Sequence, residues 1–317
     1  MSVRSWINAE EAKATLIAEG WKWLLHSSRE IDEPRARWAS GFWAPEYLIG
    51  VDRADPRSSH RFHLQTATRY SQDTPWTELD HWLAHEVRPG DSVLLDICLL
   101  GFNSVLYLLP ALLKLKLKRL ACFYVAPTSY AFPKDPLADL LLQSIEQPKA
   151  YVASLSYDKE KGRARHLVFL GFDHARAWKF IDARGWKLQD VHTVLGDPAF
   201  VQDGEARARS AAEPWLPEFE SARPEHLHRV QADDPYATKK LCQDIFSQTE
   251  WLDIVPIGPK PMALGVLWFY FGLNEEDRAR VRLLYDFPTQ QNPRSQGIGR
   301  LYVYDCEEMM MGRVSDD

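Results

Sequence analysis

The chain has 317 residues, of which 45% are hydrophobic and 26% charged, with a formal net charge of -6. That length supports one large domain or two of ordinary size, and the composition excludes a largely disordered chain. The negative balance argues against a protein whose whole surface grips nucleic acid, so a nucleic-acid partner is not indicated.

In chain order, residues 1–45 carry Trp6, Trp21, Trp23, Trp38 and Trp43. Ala9 to Leu25 has helical character, and the whole stretch is expected to be a helical lead-in packed on the first half of the chain. Leu48 to Asp52 reads as a strand. Thr77 to Glu86 predicts a helix, ended by Pro89-Gly90, a breaker pair that hands over to a strand from Ser92 to Cys98. The loop Leu99-Leu-Gly-Phe-Asn-Ser104 opens a very apolar helix. Lys114, Lys116, Lys118 and Arg119 come after it, where cations suit the negative end of the helix dipole. A strand runs from Cys122 to Pro127, and Leu137 to Glu146 predicts another helix. Ala150 to Tyr157 and His166 to Gly171 read as strands around the turn Asp158-Lys-Glu-Lys-Gly162, a hairpin joining two halves. Ala175 to Gly185 is a helix ended by glycine, and Val191 to Leu195 is a short strand running into Gly196-Asp-Pro198. Gln202 to Asp234 is polar and contains prolines, the composition of a lid, a partner surface or a mobile loop. A strand at Asp253, an apolar helix from Met262 to Leu273 and a strand from Leu284 to Pro288 complete the order.

The order of elements recurs. Gly50-Val-Asp52, the Asp96 to Asn103 loop, an apolar helix and Cys122 to Pro127 match Phe169-Leu-Gly-Phe-Asp173, the Asp253 to Met262 loop, an apolar helix and Leu284 to Pro288. The pattern predicts an α/β fold of two Rossmann-like halves, 46–150 and 151–317, after the 1–45 lead-in. The longer gap between Gly171 and Gly258 places an insertion near 202–234. In such a fold, ligands lie beyond the carboxyl ends of the strands. The four cysteines, Cys98, Cys122, Cys242 and Cys306, show no Cys-x-x-Cys spacing and read as free thiols in a reducing cytosol. No stretch reaches the roughly 18 apolar residues of a membrane helix, and the N-terminus lacks a signal-peptide core. A cytoplasmic protein with no membrane contact is expected.

The sharpest local signal is Ile254-Val-Pro-Ile-Gly-Pro-Lys-Pro-Met262. A strand ends in a glycine turn carrying Lys260, and a helix begins at once with Pro261 near its first position. A helix N-terminus favours an anion, and Lys260 would add a full charge to it. The alternative is that Gly258 only makes the turn and Lys260 points into water. Gly101, Asn103 and Ser104 form the matching loop, where the two polar side chains can cap the helix or donate to a ligand. Arg294 and Arg300, in the polar tail after Tyr285, can close over an anion or belong to a surface hairpin.

Gly258-Pro-Lys-Pro-Met262 resembles the Gly-Thr-Lys-x-Met-like turn of the CRISPR-associated Rossmann fold, the ligand-sensing domains of prokaryotic antiviral defence. Pro259 stands where that family has threonine, and the Asp96 to Asn103 loop is a looser echo of the same turn. The resemblance implies a sensor of a nucleotide-like ligand, with Gly258, Lys260 and Met262 in its site.

Acidic residues recur at strand ends: Asp52, Asp96, Asp173, Asp197 and Asp286. Asp173 and Asp197 are the pair that consecutive strands could set side by side for acid/base or metal chemistry, and turn or N-cap duty is the ordinary alternative. His81 and His85 sit four apart without a third ligand, so no metal is expected. No Gly-x-Ser-x-Gly elbow, Walker loop or Gly-x-Gly-x-x-Gly fingerprint is present, which disfavours serine hydrolases, P-loop ATPases and standard dinucleotide enzymes. No cofactor is expected.

Three readings stay open. The favoured one is a sensor or accessory subunit, a homodimer, that binds a nucleotide-like or phosphorylated ligand at a rim formed by residues 99–104, 258–262 and 286–300. The second is an enzyme on a nucleotide or sugar phosphate, using Asp173 and Asp197. The third is a protein-interaction subunit whose partner docks on the N-terminus or on 202–234.

Overall fold

The computed structural model describes residues 3–28, 34–41, 43–53, 61–130, 149–151, 163–172, 174–213, 215–221, 223–285 and 295–306. The fold is α/β. It divides into two units, Met1–Phe132 with Gln290–Asp317, and Pro133–Thr289. The expected division at 150 is therefore replaced: the C-terminal segment returns to the first unit because its strand pairs there.

The first unit contains β1 (Val3–Trp6), α1 (Ala9–Ala18), β2 (Trp23–His26), α2 (Pro34–Gly41), β3 (Leu48–Arg53), β4 (Arg61–Gln65) and β5 (Tyr70–Pro75). Next come α3 (Leu79–Glu86), β6 (Ser92–Asp96), α4 (Phe102–Leu113), β7 (Arg119–Val125), β8 (Ser129–Tyr130), β15 (Ser295–Gln296) and β16 (Leu301–Asp305). The main sheet has the order β1-β16-β7-β6-β2-β3-β4-β5. β7, β6, β2 and β3 are parallel, and antiparallel strands flank them on both sides. The lead-in is only partly helical. Asn8 caps α1 by accepting from the Glu10 and Glu11 amides, but the helix stops at Ala18, and Gly20 comes next in the left-handed region at φ +70°. Trp23-Leu24-Leu25 then become a central parallel strand. A short apolar run of this kind carries no periodicity, and burial on both faces of the sheet decides it as a strand. All five residues of β6 are buried for the same reason.

The second unit contains β9 (Lys149–Tyr151), β10 (Ala164–Phe169), α5 (His174–Arg184), β11 (Val191–Gly196), α6 (Gly204–Ala211), α7 (Leu216–Ser221) and β12 (Leu227–Val230). It ends with α8 (Pro235–Phe246), β13 (Trp251–Val255), α9 (Lys260–Phe271), α10 (Glu275–Ala279) and β14 (Val281–Tyr285). The sheet order is β12-β11-β10-β13-β14-β9, parallel except for β9. Three expectations change here. Among the described residues β9 pairs with β14 and not with β10, whose neighbours are β11 and β13, in place of the expected hairpin pairing; the turn Asp158 to Gly162 lies outside the described residues. Residues 202–234 are no appended lid: they supply α6, α7 and β12, and Ala208, Ala212, Trp215 and Leu216 join the core with Val168, Phe180 and Val255. Finally, α9 is buried from Pro261 to Tyr270 within its own unit, packed on α8, so its apolar surface gives no argument for a second subunit. The helix expected at Leu137 to Glu146 lies outside the described residues.

The two topologies do not show an internal repeat. β6-α4-β7 and β13-α9-β14 do correspond, each an apolar helix between parallel neighbours. The strands equated before them do not: β10 is central and touches β13, whereas β3 is separated from β6 by β2. All four cysteines are buried and free. Among the described residues, no helix is long and apolar enough to cross a membrane.

Candidate functional site

In the first unit the strand order reverses between β2 and β6, because β2 leads to β3 on one side and β6 to β7 on the other. Crevices outside the carboxyl ends of parallel strands open at such a reversal. The residues there are polar although the surroundings are apolar. Ser27 Oγ donates to Asp52 Oδ1 at 2.9 Å, and the Ser28 hydroxyl donates to Asp52 Oδ2. Asp96 ends β6 almost fully buried and accepts the Cys98 amide at 2.8 Å. Burial pushes its carboxyl up, against the lowering effects of Cys98, His26 and Arg35. Arg35, near the start of α2 and 5% exposed, donates to the Val125 carbonyl at 3.0 Å and to Ser295 Oγ at 2.7 Å. The Cys98 thiol accepts the Val125 amide at 3.2 Å, and burial raises it far from thiolate formation, so it is no nucleophile.

The N-terminus of α4 completes this rim. Gly101 is its N-cap, and no side chain caps the helix. Phe102, Asn103 and Ser104 are all buried, and among the described residues the Asn103 side-chain nitrogen has no hydrogen-bond partner. Capping is thus not what Asn103 does. A Cβ on Gly101 would lie 2.7 Å from Asn103 Oδ1, so glycine is required for the loop to pass the amide. A buried helix end without a cap needs a partner from elsewhere, and so does a buried amide donor.

In the second unit the reversal lies between β10 and β13, with Gly171 and Gly258 just beyond the strand ends. A Cβ on Gly171 would come within 2.7 Å of the Ile257 carbonyl oxygen, and one on Gly258 within 3.2 Å of the Leu170 carbonyl oxygen. The two loops are therefore in backbone contact, and Gly258 has a packing role. Lys260 is half-buried at the first position of α9, and Met262 is fully buried, its sulfur packed towards Gly196. Met262 is a core residue. Asp197 is bound to a cation: Arg229 Nη1 donates to it at 2.7 Å and to Glu205 at 2.7 Å. Asp173, the other member of the expected carboxylate pair, lies outside the described residues, as do Arg294 and Asp286. Arg300 is exposed in the first unit, where its carbonyl accepts the Ala126 amide. The residues expected to share one rim fall in different units, 99–104 and 295–300 in the first and 258–262 in the second, so each unit's strand ends are taken separately.

The second unit also holds a stack of imidazoles that brings His192 onto His226 and His228. The His192 ring lies 4.1 Å from that of His226, and His192 Nδ1 is 3.0 Å from His228 Nε2. Burial first, then His226, His228, Arg165 and His166, lowers His192 from 6.5 to about 3. Burial also lowers His226 and His228, with Arg165, Arg223 and Glu225 acting on His226 as well. Between pH 6.5 and 3 the unfolded chain therefore binds more protons than the folded one. Stability is complete above pH 6.5 and declines on acidification. His192 alone is expected to cost about 2 kcal/mol between pH 7 and pH 5. Urea midpoints across that range will show it, and His192→Asn should flatten the slope; an unchanged slope in the variant would refute the assignment.

His81 and His85 stack edge to face at 5.0 Å, and among the described residues no group of three or more His, Cys, Asp or Glu side chains is placed to hold a metal ion. Compared with protein-family models, curated proteins and solved structures, the chain matches none. The site therefore rests on its own chemistry. Ser27, Ser28 and Arg35 were missed from the sequence because they come after a strand that reads as helix. Asp52 and Asp96 were visible only as strand-end acids.

Proposed function

We propose that this chain binds a nucleotide-like or otherwise phosphorylated small ligand at the carboxyl ends of its parallel strands. The observation that carries this reading is the buried, uncapped N-terminus of α4, with the unpartnered Asn103 amide and the Arg35 guanidinium at the same strand-end rim. Helix amides and a cation favour an anion, and the Asn103 nitrogen offers it or its ester a donor. Lys260 at the head of α9 is a second anion-binding position, in the other unit. The resemblance of Gly258-Pro-Lys-Pro-Met262 to the CRISPR-associated Rossmann fold supports a sensor or accessory subunit of an antiviral defence system, working without turnover. The ion pair that Arg229 makes with Asp197 engages one of the two carboxylates an enzyme would need.

Thermal melting with millimolar nucleoside mono- and diphosphates and cyclic oligonucleotides tests the reading. A binder at 100 times its Kd stabilises by about 2.7 kcal/mol, a rise of several degrees. Asn103→Ala is expected to abolish the rise from the first-unit site. If no phosphorylated compound shifts the wild-type melting temperature, the proposal is wrong.

A further inference from the structure

β12 is the edge strand of the second unit's sheet, and among the described residues it pairs with β11 alone. Of its four residues only Val230 is buried, so little apolar packing holds it in place. What holds it besides the ladder is polar. At its carboxyl end the Asp197 amide donates to the Val230 carbonyl at 2.8 Å, and Arg229 Nη1 donates to Asp197 at 2.7 Å. At its start are the imidazoles. His192 of β11 shares a 3.0 Å N–H···N hydrogen bond with His228 of β12, and its ring stacks on His226, the last residue of the single turn Pro224–His226 that leads into β12. His226 Nδ1 lies 3.1 Å from the Val191 carbonyl oxygen, so that ring also bridges to β11.

The arrangement is built for neutral rings. An N–H···N bond needs one unprotonated nitrogen, and the rings of His226 and His228, 4.1 Å and 5.3 Å from that of His192, would set positive charges close together. His192 Nε2 is buried and, among the described residues, has no hydrogen-bond partner, so an imidazolium there would bury a charged N–H without an acceptor. Arg165 of β10 acts on His192 and His226, Arg223 acts on His226, and His166, which is bound to Asp253, acts on His192. The acids are Glu225, 3.9 Å from His226 Nε2, and Asp190, 3.6 Å from Arg165. Burial is the largest cause in lowering all three histidines, His192 to about 3. From this geometry we infer that the imidazole stack is a pH-sensitive latch on the sheet edge: neutral rings clasp β12 and its lead-in turn to β11, and protonation releases them while the rest of the sheet stays folded. Release frees the pairing edge of β11, whose six residues are all buried, and an unpaired edge is a template for another strand.

The test is hydrogen exchange of the full chain between pH 7 and pH 5, read by mass spectrometry and corrected for the intrinsic pH dependence of amide exchange, on wild type and His192→Asn. A histidine that stays neutral while latched and titrates near 6.5 once released multiplies the released fraction by about 25-fold over that range. Protection of residues 224–230 in the wild type should therefore fall by that factor or more, without dependence on low urea, while tryptophan fluorescence still reports the folded state at pH 5. His192→Asn should remove most of the fall, and a fall that persists in the variant counts against the stack. Protection of 224–230 that does not change with pH would overturn the latch. So would a fall with the protection level and urea dependence of β13, because the acid response would then be that of global unfolding. If circular dichroism shows His192→Asn to be unfolded, His228→Asn takes its place, and the wild-type profile decides by itself.

Discussion

Replacing Asp253 by asparagine is expected to lower folding stability by about 3–5 kcal/mol, the cost of removing one partner of a buried ion pair. Arg282 donates to Asp253 through Nε and a terminal nitrogen, both at 2.7 Å, and His166 Nδ1 lies 3.0 Å from Oδ2. All three residues are at most 8% exposed, and the His166 ring stacks at 4.1 Å on Trp186. Burial alone would raise the carboxyl, but His166 and Arg282 outweigh it and hold Asp253 below the usual carboxylate range. With the folded value depressed, the stabilisation is present above the unfolded value near 3.8 and is lost as pH falls below it. Asparagine takes from the buried Arg282 guanidinium the carboxylate that accepts two of its hydrogen bonds. Urea denaturation at pH 7, monitored by tryptophan fluorescence, measures the loss. The double variant Asp253→Leu with Arg282→Met should recover much of it, since apolar pairs of similar volume often match a buried ion pair. A loss below about 1 kcal/mol in the single variant would show that the network contributes little.

Gly265→Ala should also destabilise, by about 2–3 kcal/mol, although helix propensity predicts the opposite sign. Gly265 lies in the middle of α9, where alanine would ordinarily gain about 1 kcal/mol. Here a methyl group would run into the Pro235 carbonyl oxygen and lie 2.7 Å from Thr238 Cβ, on the first turn of α8. That turn cannot easily move. Asp234 accepts the Tyr236 and Ala237 amides at 2.9 Å each, and Thr238 is fully buried. Overpacking against fixed backbone therefore outweighs propensity. The readout is the melting temperature: a rise on Gly265→Ala would mean that α8 and α9 leave room for a methyl group between them.

Elements with a strong local signal were legible. β6, α4, β13 and α9 are apolar runs bounded by Pro89-Gly90, Gly101 and Gly258, and their positions follow from composition and breakers. Asn103 and Ser104 were legible as a polar pair at a helix entrance, but the burial of the Asn103 amide without a partner was not. Residue type at a helix start cannot say whether a hydroxyl or amide reaches the backbone. β2 and β12 were not legible. Each is only four residues long, and their strand character comes from neighbours supplied by the rest of the sheet. The same limit hid Arg35 and the serines beside Asp52.

Sequence by itself determined the α/β class, the apolar helices and the glycines that end or admit them, because those depend on local periodicity, burial of continuous runs and backbone freedom. Only tertiary structure decided which strands are neighbours. His166 meets Asp253 across 87 residues, and Arg282 meets the same carboxylate across 29. It likewise decided that the last strand returns to the first sheet, and that residues 202–234 build core and not a lid. Strand order minimises the exposed apolar surface of the whole sheet, a property no local window contains. The chemistry at the crevice, set by which strand ends face one another, follows from that order.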